Sequence, residues 1–300
     1  MLETENTEDF SRLEKYLSDK KKFIDEQLKT CITGNLRLKQ SMKYSLMAGG
    51  KRLRPILMLT VAEILGCDVE KVLATASAIE MIHTFSLIHD DLPAIDNDNL
   101  RRGKKTNHVI YGDALAIIAG DALLADSFGY IIKNTPSDVS REDLLKVIEE
   151  ISLAAGSDGM CAGQALDISS EREEQVDKET LKFIHTHKTG DMINVAVRTA
   201  AIISKASDFE LAALTDYAQN LGLAFQIVDD ILDVVGEEKT LGKKVKKDQN
   251  KVTYPKLYGL DDSLHIANIH TNKAIEALSI FKEKAEYLRM IAEYNVSRKS

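Results

Sequence analysis

Apolar residues recur every three or four positions along most of the chain, which is the spacing of amphipathic α-helices. The pair Gly49–Gly50 ends the first predicted helix, because glycine is common just past a helix end. The pattern predicts helices at 9–48, from near Pro55, at 115–130, 141–155, 182–204 and 214–235, and in one or two segments between Asp261 and Arg298. No alternating run of five or more residues predicts a β-strand, so the pattern indicates an all-α fold.

An apolar helical segment that starts near Ile79 runs into acidic residues at Asp90 and Asp91. Carboxylates in such a place are costly to bury unless a cation neutralises them. Asp96 can rejoin Asp90 only if the chain bends between them, and Pro93 supplies the bend because proline lacks a backbone N–H. Acidic side chains gathered in this way offer only oxygen ligands, which suits Mg²⁺.

This stretch alone leaves two interpretations open, since a solvated loop or a helix cap has the same composition. A calcium-binding EF-hand fits less well. Its loop, started at Asp96, would need an acid or an amide at Leu100 and a glycine at Arg101, and the sequence has neither.

A second acidic set lies on the helix predicted at 214–235. Gln226, Asp229, Asp230 and Asp233 fall within a narrow arc of one face, and most of the remaining helix surface is apolar. A helix that is apolar nearly all round with one polar stripe suits a buried position beside a wet internal cavity. Three carboxylates along that stripe repel one another unless cations share them.

Basic residues precede the first acidic set and follow both sets. Lys51, Arg52 and Arg54 lie between two glycines and a helix start, where they could form a phosphate cradle or a basic surface turn. Two further groups come directly after the acids, 101–105 (RRGKK) and 243–251 with five lysines. Lys188-Thr189-Gly190, in the middle of a predicted helix, could mark a kink that faces a ligand or an exposed stripe.

Composition narrows the class of protein. Three hundred residues with 44% hydrophobic and 29% charged content are ordinary for a soluble globule, and the net charge of −8 argues against non-specific nucleic-acid binding. The start of the chain lacks the features of a signal peptide and no run of 18 apolar residues occurs, so we expect a cytoplasmic protein without a membrane span. Cys31, Cys67 and Cys161 match neither a disulfide framework nor a zinc site.

Two acidic sets, basic flanks and apolar helices together suit a diphosphate ester with a hydrocarbon tail. Metal ions would draw charge from the diphosphate, and apolar walls would receive the tail. No serine or cysteine nucleophile with a paired base is visible. The chemistry indicated is one in which the leaving group departs first.

The motifs resemble those of the trans-polyprenyl diphosphate synthases, and most closely those of the bacterial farnesyl diphosphate synthases. The resemblance covers 36–298 and includes GGKRLRP at 49–55, EMIHTFSLIHDDLPAIDND at 80–98, RRGKKTNH at 101–108, GMCAGQALD at 159–167, KTG at 188–190 and FQIVDDILD at 225–233. It implies one domain over 1–300 with the all-α, isoprenoid-synthase-type helical bundle around a central cavity. It also implies a homodimer with three Mg²⁺ in each active site.

The resemblance assigns roles residue by residue. The implied metal ligands are Asp90, Asp91, Asp96, Asp229, Asp230 and Asp233, and the implied catalytic residues are Asp90, Asp96, Lys188 and Asp229. The allylic diphosphate would be held by Arg101, Lys188, Thr189, Gln226 and Lys243, and isopentenyl diphosphate by Lys51, Arg54, His83 and Arg102. Phe85 and Ser86, about one turn before the first acids, would set the length of the product.

The implied reaction is ionisation to an allylic cation, attack by the isopentenyl double bond and loss of a proton, with farnesyl diphosphate (C15) as the product. An aromatic residue at Phe85 goes with a C15 product in similar enzymes. The alternatives are a geranylgeranyl (C20) diphosphate synthase and a non-catalytic partner subunit. A terpene cyclase, or a structural scaffold that binds no magnesium-dependent ligand, fits the two acid motifs less well.

Overall fold

The computed structural model describes residues 2–170, 176–240 and 252–298. Helices dominate these residues, in agreement with the predicted all-α class. The α-helices are α1 (Leu2–Cys31), α2 (Arg37–Leu46), α3 (Leu53–Ile64), α4 (Glu70–Asp90), α5 (Asn107–Tyr111), α6 (Asp113–Asn134), α7 (Arg141–Ala155), α8 (Met160–Ser170), α9 (Lys178–Ile184), α10 (Asp191–Ile203), α11 (Asp208–Thr240), α12 (Tyr254–Tyr258), α13 (Leu260–Ala277) and α14 (Glu286–Ser297). A π-helix (His185–Gly190) joins α9 to α10, and a 3-10 helix (Leu278–Ala285) joins α13 to α14.

One predicted helix is wrong. The segment 9–48 is not continuous, because α1 ends at Cys31 and α2 begins at Arg37. Gly34 between them has a φ of +96°, a left-handed conformation that glycine adopts without steric cost. The predicted stop at Gly49–Gly50 is confirmed, and both glycines have positive φ.

Side-chain caps fix several helix starts, among them those of α11 and α7. Ser207 and Glu210 form a capping box at the start of α11: the Glu210 carboxylate accepts from the Ser207 amide at 2.8 Å, and the Glu210 amide donates to the Ser207 hydroxyl. At α7 the Asp143 amide donates to the Ser140 hydroxyl at 3.1 Å. Each cap satisfies a backbone N–H that has no partner within its own helix.

The chain divides into two compact units. The amino-terminal unit consists of 14–148 and 199–205, and the carboxy-terminal unit consists of 1–13, 149–198 and 206–300. The core of the amino-terminal unit lies along α3 and α4, which are buried over most of their length. In the carboxy-terminal unit, α11 is central and its fully buried Tyr217 donates to the Leu288 carbonyl of α14 at 2.9 Å. The prediction of a single domain stays a prediction.

The strands found in the described residues are short. β1 (Leu100–Arg101) pairs antiparallel with β2 (Lys104–Lys105). The two residues of the turn, Arg102 and Gly103, both have positive φ (+53° and +74°), as a type I′ hairpin requires. The basic run after the first acids is therefore a tight hairpin.

Two of the described helices, α4 and α6, are long and apolar enough to cross a bilayer by length and composition. In α4, 78% of the most apolar window is buried inside the protein, and in α6 the share is 33%. A core helix can match a membrane span in length and apolarity. The expected absence of a span therefore stays a prediction.

Candidate active site

The first acid motif folds back on the end of its own helix. Beyond the end of α4, the Asp96 amide donates to the Asp90 carbonyl at 2.9 Å, and the Asp98 amide donates to the Asp91 carbonyl at 3.1 Å. The chain between them turns at Pro93. Asp90 and Asp96, six residues apart in sequence, are thereby joined through their backbones, and both side chains are half-buried.

Asp91 is the buried member of this motif. Its Oδ1 accepts from both Nε and Nη2 of Arg101 at 2.7 Å. Arg101 lies on β1, so this ion pair ties the hairpin to the end of α4. The carboxylate of Asp91 is therefore engaged by a cation of the protein itself.

A cluster of cations surrounds His83 on α4. Burial lowers the pKa of His83 well below its ordinary value, and the nearby guanidinium groups of Arg54, Arg102, Arg101 and Arg52 lower it further, in that order. At neutral pH the imidazole is therefore uncharged, and it can donate a hydrogen bond to an anion without adding charge.

Gly50 lets one of these cations approach the backbone. Its φ is +124°, and a Cβ at this position would lie 2.7 Å from Nη2 of Arg102, with other guanidinium atoms nearer still. Arg102 in turn donates to the Gly49 carbonyl. The double glycine therefore holds the hairpin arginine against the loop that carries Lys51, whose side chain is exposed.

The second acid motif borders a pocket of about 180 Å³ within the carboxy-terminal unit. The π-helix supplies Lys188, whose Nζ donates to Asp167 Oδ2 at 2.5 Å. It also supplies Thr189, whose hydroxyl donates to Gln226 Oε1 at 2.7 Å. The polar residues of the wall include Asp167, Lys188, Thr189, Gln226, Asp230 and Asp233. Of the polar stripe predicted on α11, Gln226, Asp230 and Asp233 line this pocket, whereas Asp229 is not among the described residues of its wall. π-Helical turns occur often at functional sites.

Close backbone packing positions the π-helix. A Cβ on Gly163 of α8 would lie 2.8 Å from Cα of Lys188, and one on Gly222 of α11 would lie 2.9 Å from Cα of Gly190. Real Cβ atoms essentially never come that near. Gly163 and Gly222 are thus required for helix-to-helix contact with the π-helix.

Asp230 is held by its neighbours. Its side chain accepts from the Tyr254 amide at 2.9 Å and from Gln226 at 3.3 Å, and its Oδ2 lies 3.3 Å from Nε2 of His185. Burial raises the pKa of Asp230 to about 7. Burial lowers the pKa of His185 to about 3, so that this imidazole is neutral. Asp230 acts here as a link between the π-helix, α11 and α12.

Asp229 pairs with an arginine from the end of the described chain. Nη2 of Arg298 donates to Asp229 Oδ1 at 2.6 Å and also to the Phe225 carbonyl at 3.3 Å. The guanidinium carbon lies 4.4 Å from the centre of the Phe225 ring, and its Nε donates to Asn295. The guanidinium is nearly buried, whereas Asp229 is about one-third exposed.

Each unit holds part of the predicted site. The amino-terminal unit contains Lys51, Arg54, His83, Phe85, Ser86, Asp90, Asp91, Asp96, Arg101 and Arg102. The carboxy-terminal unit contains Lys188, Thr189, Gln226, Asp229, Asp230 and Asp233. Lys243 lies outside the described residues. Within the described part of the chain, no three His, Cys, Asp or Glu side chains are placed to hold a metal ion between themselves.

Phe85 lies on the same helix as the first acids. Its side chain is 7% exposed, and its ring meets the His89 ring edge-on at 5.5 Å between centroids. Its neighbour Ser86 is half-buried and donates its hydroxyl to the His83 carbonyl at 2.9 Å, within α4. At 1.5 Å rise per residue, Phe85 is about 7.5 Å along the helix axis from Asp90.

Four contacts of the site were not predicted from the sequence: those of Asp167, His185, Tyr254 and Arg298. The first two lie in or next to motifs noted in the sequence, GMCAGQALD and KTG, so their neighbourhood was a usable signal. Tyr254 and Arg298 lie 24 and 69 residues from their aspartate partners, and no local spacing connects such pairs.

A family model described as polyprenyl synthetase matches residues 35–290. Among curated relatives, the farnesyl diphosphate synthase of Geobacillus stearothermophilus is 47% identical over 253 residues, covering 83% of this chain and 85% of that protein. The geranylgeranyl diphosphate synthase of Cyanophora paradoxa is 46% identical over 290 residues, covering 94% and 95%. The relatives thus divide between C15 and C20 synthases.

Solved structures agree with the sequence relatives. The crystal structure of an FPP/GFPP synthase from Zymomonas mobilis, in its apo form, superimposes with a TM-score of 0.82 at 35% identity, covering 97% of this chain and 99% of that one. A putative farnesyl-diphosphate synthase from Marinomonas sp. MED121 gives the same TM-score and identity, with 95% and 98% covered. The chain therefore belongs to the polyprenyl synthetase family and is a prenyltransferase of isoprenoid biosynthesis that elongates prenyl diphosphates.

Proposed function

We propose that this prenyltransferase is a (2E,6E)-farnesyl diphosphate synthase. It condenses isopentenyl diphosphate with dimethylallyl and then geranyl diphosphate and stops at C15. The observation that carries the proposal is Phe85, a bulky ring on the helix that ends in the first acid motif and is supported by His89. A growing tail that runs along α4 from Asp90 meets that ring, and steric contact ends elongation.

The residues fit a magnesium-bound diphosphate. Asp90, Asp96, Asp229 and Asp233 offer half-buried or exposed carboxylates, which are the hard oxygen donors that Mg²⁺ takes, one or two at a time, beside substrate phosphates. Mg²⁺, when bound, would withdraw charge from the diphosphate and make it a better leaving group. A diphosphate that supplies most of the oxygen ligands explains how the site can work although no three acids converge among the described residues.

Asp91 and Asp230 have a supporting role in this proposal. One is held by Arg101, and the other by Tyr254 and Gln226. Each carboxylate fixes an element that carries other site residues, namely the hairpin and the π-helix. A count of three magnesium ions per site remains part of the proposal.

The cations of the chain would hold the two substrates. Lys188, Thr189, Gln226 and Arg101 hold the allylic diphosphate, and Lys243 joins them in the proposal. The hydroxyl of Thr189 and the amide of Gln226 are already fixed on each other at 2.7 Å.

Isopentenyl diphosphate is held by Lys51, Arg54, Arg102 and neutral His83, which donates a hydrogen bond. The departing diphosphate takes the proton released after the isopentenyl double bond attacks the allylic cation. No basic side chain of the protein is needed for that transfer.

The experiment is incubation of the purified chain with labelled isopentenyl diphosphate, each allylic primer and Mg²⁺, followed by sizing of the products. We expect C15 as the longest product, and none after chelation of the metal. C20 as the main product would overturn the C15 assignment, and no elongation with any primer would leave the non-catalytic partner subunit as the better account.

A matched pair of variants on α11 tests the role of the acids. Asp229→Asn removes a proposed ligand, and Asp216→Asn changes an exposed aspartate of the same helix. We expect the first to reduce kcat by at least 100-fold and the second to leave it within twofold. Equal kcat values for the two variants would contradict the proposed role.

The homodimer is part of the proposal. On α6, Ile117, Ile118 and Ile132 are between 44% and 60% exposed and fall on one side of the helix. An apolar helix face of this kind is typical of a protein–protein interface, and most soluble oligomers pair identical chains. Sedimentation should give a dimer that Ile118→Asp weakens, and a wild-type monomer would contradict it.

A further inference from the structure

Arg52 differs from the other cations of the GGKRLRP loop because it points into the protein. Its side chain is 1% exposed. Each guanidinium nitrogen donates to the protein: Nε to Asp25 Oδ1 at 2.8 Å, Nη1 to Glu80 Oε1 at 2.6 Å and Nη2 to the Leu46 carbonyl at 2.7 Å. These acceptors come from α1, from α4 and from the end of α2. Arg52 is thus a junction between three helices.

The backbone of Arg52 is also unusual. Its φ is +53°, in the left-handed region, which costs a non-glycine residue about 1 kcal/mol or more. Such a conformation persists when the surrounding contacts hold it. Here the bonds to Asp25, Glu80 and Leu46 hold it. The loop therefore depends on this side chain for its shape.

Glu80 connects the loop to the site. It is 2% exposed and lies on α4, one turn before His83. Because Glu80 and Arg52 neutralise each other, the pair adds no net charge to a region already crowded with guanidinium groups. The ion pair between Arg52 and Glu80 joins two parts of the site. Arg52 lies in the loop that carries Lys51 and Arg54, and Glu80 lies on the helix that carries His83.

We propose that Arg52 and Glu80 are positioning residues for isopentenyl diphosphate. They do not touch the substrate; they set the separation between the loop cations and His83 that the diphosphate needs. This inference rests on the proposed function. It predicts a loss of affinity confined to isopentenyl diphosphate, because the side chain of Arg52 donates to Asp25, Glu80 and Leu46, and none of these three is proposed to bind the allylic diphosphate.

The test uses two single variants. Arg52→Met keeps the length of the side chain and removes its donors, whereas Glu80→Gln keeps the volume and removes the charge. We expect each to raise the KM for isopentenyl diphosphate at least tenfold while the KM for the allylic substrate stays within twofold. Calorimetric titration with isopentenyl diphosphate alone should show the same loss of affinity.

Arg198→Met is the matched control, because it breaks another arginine–glutamate pair, Arg198 with Glu150, in the carboxy-terminal unit. It should lower the melting temperature without changing either KM. If a single variant fails to fold, Arg52→Met/Glu80→Leu carries the test, since it removes both members of the buried pair. The other carboxylate that Arg52 contacts, that of Asp25, is 28% exposed and stays in reach of solvent.

Two outcomes in the folded variants, and one in the wild-type chain, would overturn the positioning role of Arg52 and Glu80. Folded variants whose KM for isopentenyl diphosphate stays within twofold of wild type would overturn the inference, as would an equal rise in both KM values, which marks a merely structural pair. A wild-type chain that neither elongates nor binds isopentenyl diphosphate would overturn the proposed function, and this inference with it.

Discussion

Gly163→Ala is the most direct test of how the site is packed. The added methyl group would lie 2.8 Å from Cα of Lys188 and 2.9 Å from the carbonyl carbon of His187, and nearer still to the Lys188 amide nitrogen. These neighbours are backbone atoms, so no side-chain rotation can relieve the contact. The π-helix itself has to move.

The size of the movement follows from these distances. An ordinary contact begins near 3.4 Å, so the Cα of Lys188 must retreat by about 0.6 Å and its amide nitrogen by about 1 Å. Overpacking costs about 1–3 kcal/mol, from which the better helix propensity of alanine subtracts up to about 1 kcal/mol. For a protein of this size, a net loss of about 1–2 kcal/mol lowers the melting temperature by about 2–3 °C.

The effect on activity should exceed the effect on stability. A shift of about 1 Å in a substrate-binding group can reduce the rate about 100-fold, so we expect kcat to fall about 10- to 100-fold. The assays are thermal unfolding and steady-state kinetics with labelled isopentenyl diphosphate. Lowered activity in protein that is still folded at the assay temperature identifies displacement of Lys188 as the cause.

Two further glycines complete a graded series. Gly222→Ala meets Cα of Gly190 at 2.9 Å and should have an intermediate effect, whereas Gly129→Ala on α6 meets nothing within 4 Å. The latter should gain up to about 1 kcal/mol of stability and keep its activity, with sedimentation as a check on its oligomeric state. Wild-type kcat in folded Gly163→Ala, or equal losses in all three variants, would refute the reasoning.

Three further predictions concern product length, substrate binding and pH. Phe85→Ala deepens the tail pocket and shifts the product from C15 toward C20, as chain-length analysis of the products will show. Thr189→Val removes the hydroxyl that donates to Gln226, so the KM for the allylic substrate should rise about five- to tenfold in steady-state kinetics, corresponding to about 1–1.5 kcal/mol. Because burial raises the pKa of Asp230 to about 7, its contribution to stability is complete below pH 4 or so and is lost as the pH rises through about 7. Asp230→Asn stays neutral at every pH, so urea unfolding of metal-free protein should show wild type losing stability relative to this variant between about pH 4 and pH 7.

Conservative variants serve as controls for these three. Phe85→Tyr keeps the ring and should still give a C15 product. If Phe85→Ala also gives only C15, the ring of Phe85 is not what ends chain elongation. Thr189→Ser keeps the hydroxyl and should keep the KM for the allylic substrate. An equal rise of this KM in both Thr189 variants would show that loss of the hydrogen bond is not the cause. A stability difference between Asp230→Asn and wild type that does not change with pH would show that Asp230 titrates as it does in the unfolded chain.

The spacing of apolar residues predicted the helices well but predicted the breaks between them poorly. The helix predicted at 141–155 is α7 residue for residue, and the one predicted at 115–130 lies inside α6. The break between α1 and α2 was missed because Gly34 is a single glycine in polar surroundings, without the second glycine that marked the next stop. Apolar spacing alone does not separate one long helix from two collinear ones.

In the site, the sequence predicted the contacts that depend on local constraints but not those that depend on how distant helices pack. The bend that brings Asp96 back to Asp90 followed from Pro93, because the constraint is local. The burial of Arg52 did not follow from the sequence, since its neighbours Lys51 and Arg54 have the same charge and only the fold separates a core arginine from an exposed lysine and a half-buried arginine. The pairing of Asp229 with Arg298 depends on how α14 packs, which no local pattern encodes.

The π-helix at 185–190 makes this part of the chain sensitive to length. Each residue deleted from an α-helix turns everything beyond it by about 100°, so shortening the segment to an ordinary helix would rotate α10 and remove Met192 and Ala196 from the core. Libraries that aim to change substrate preference here should therefore substitute residues other than Lys188, Thr189 and Gly190, and should keep the number of residues constant.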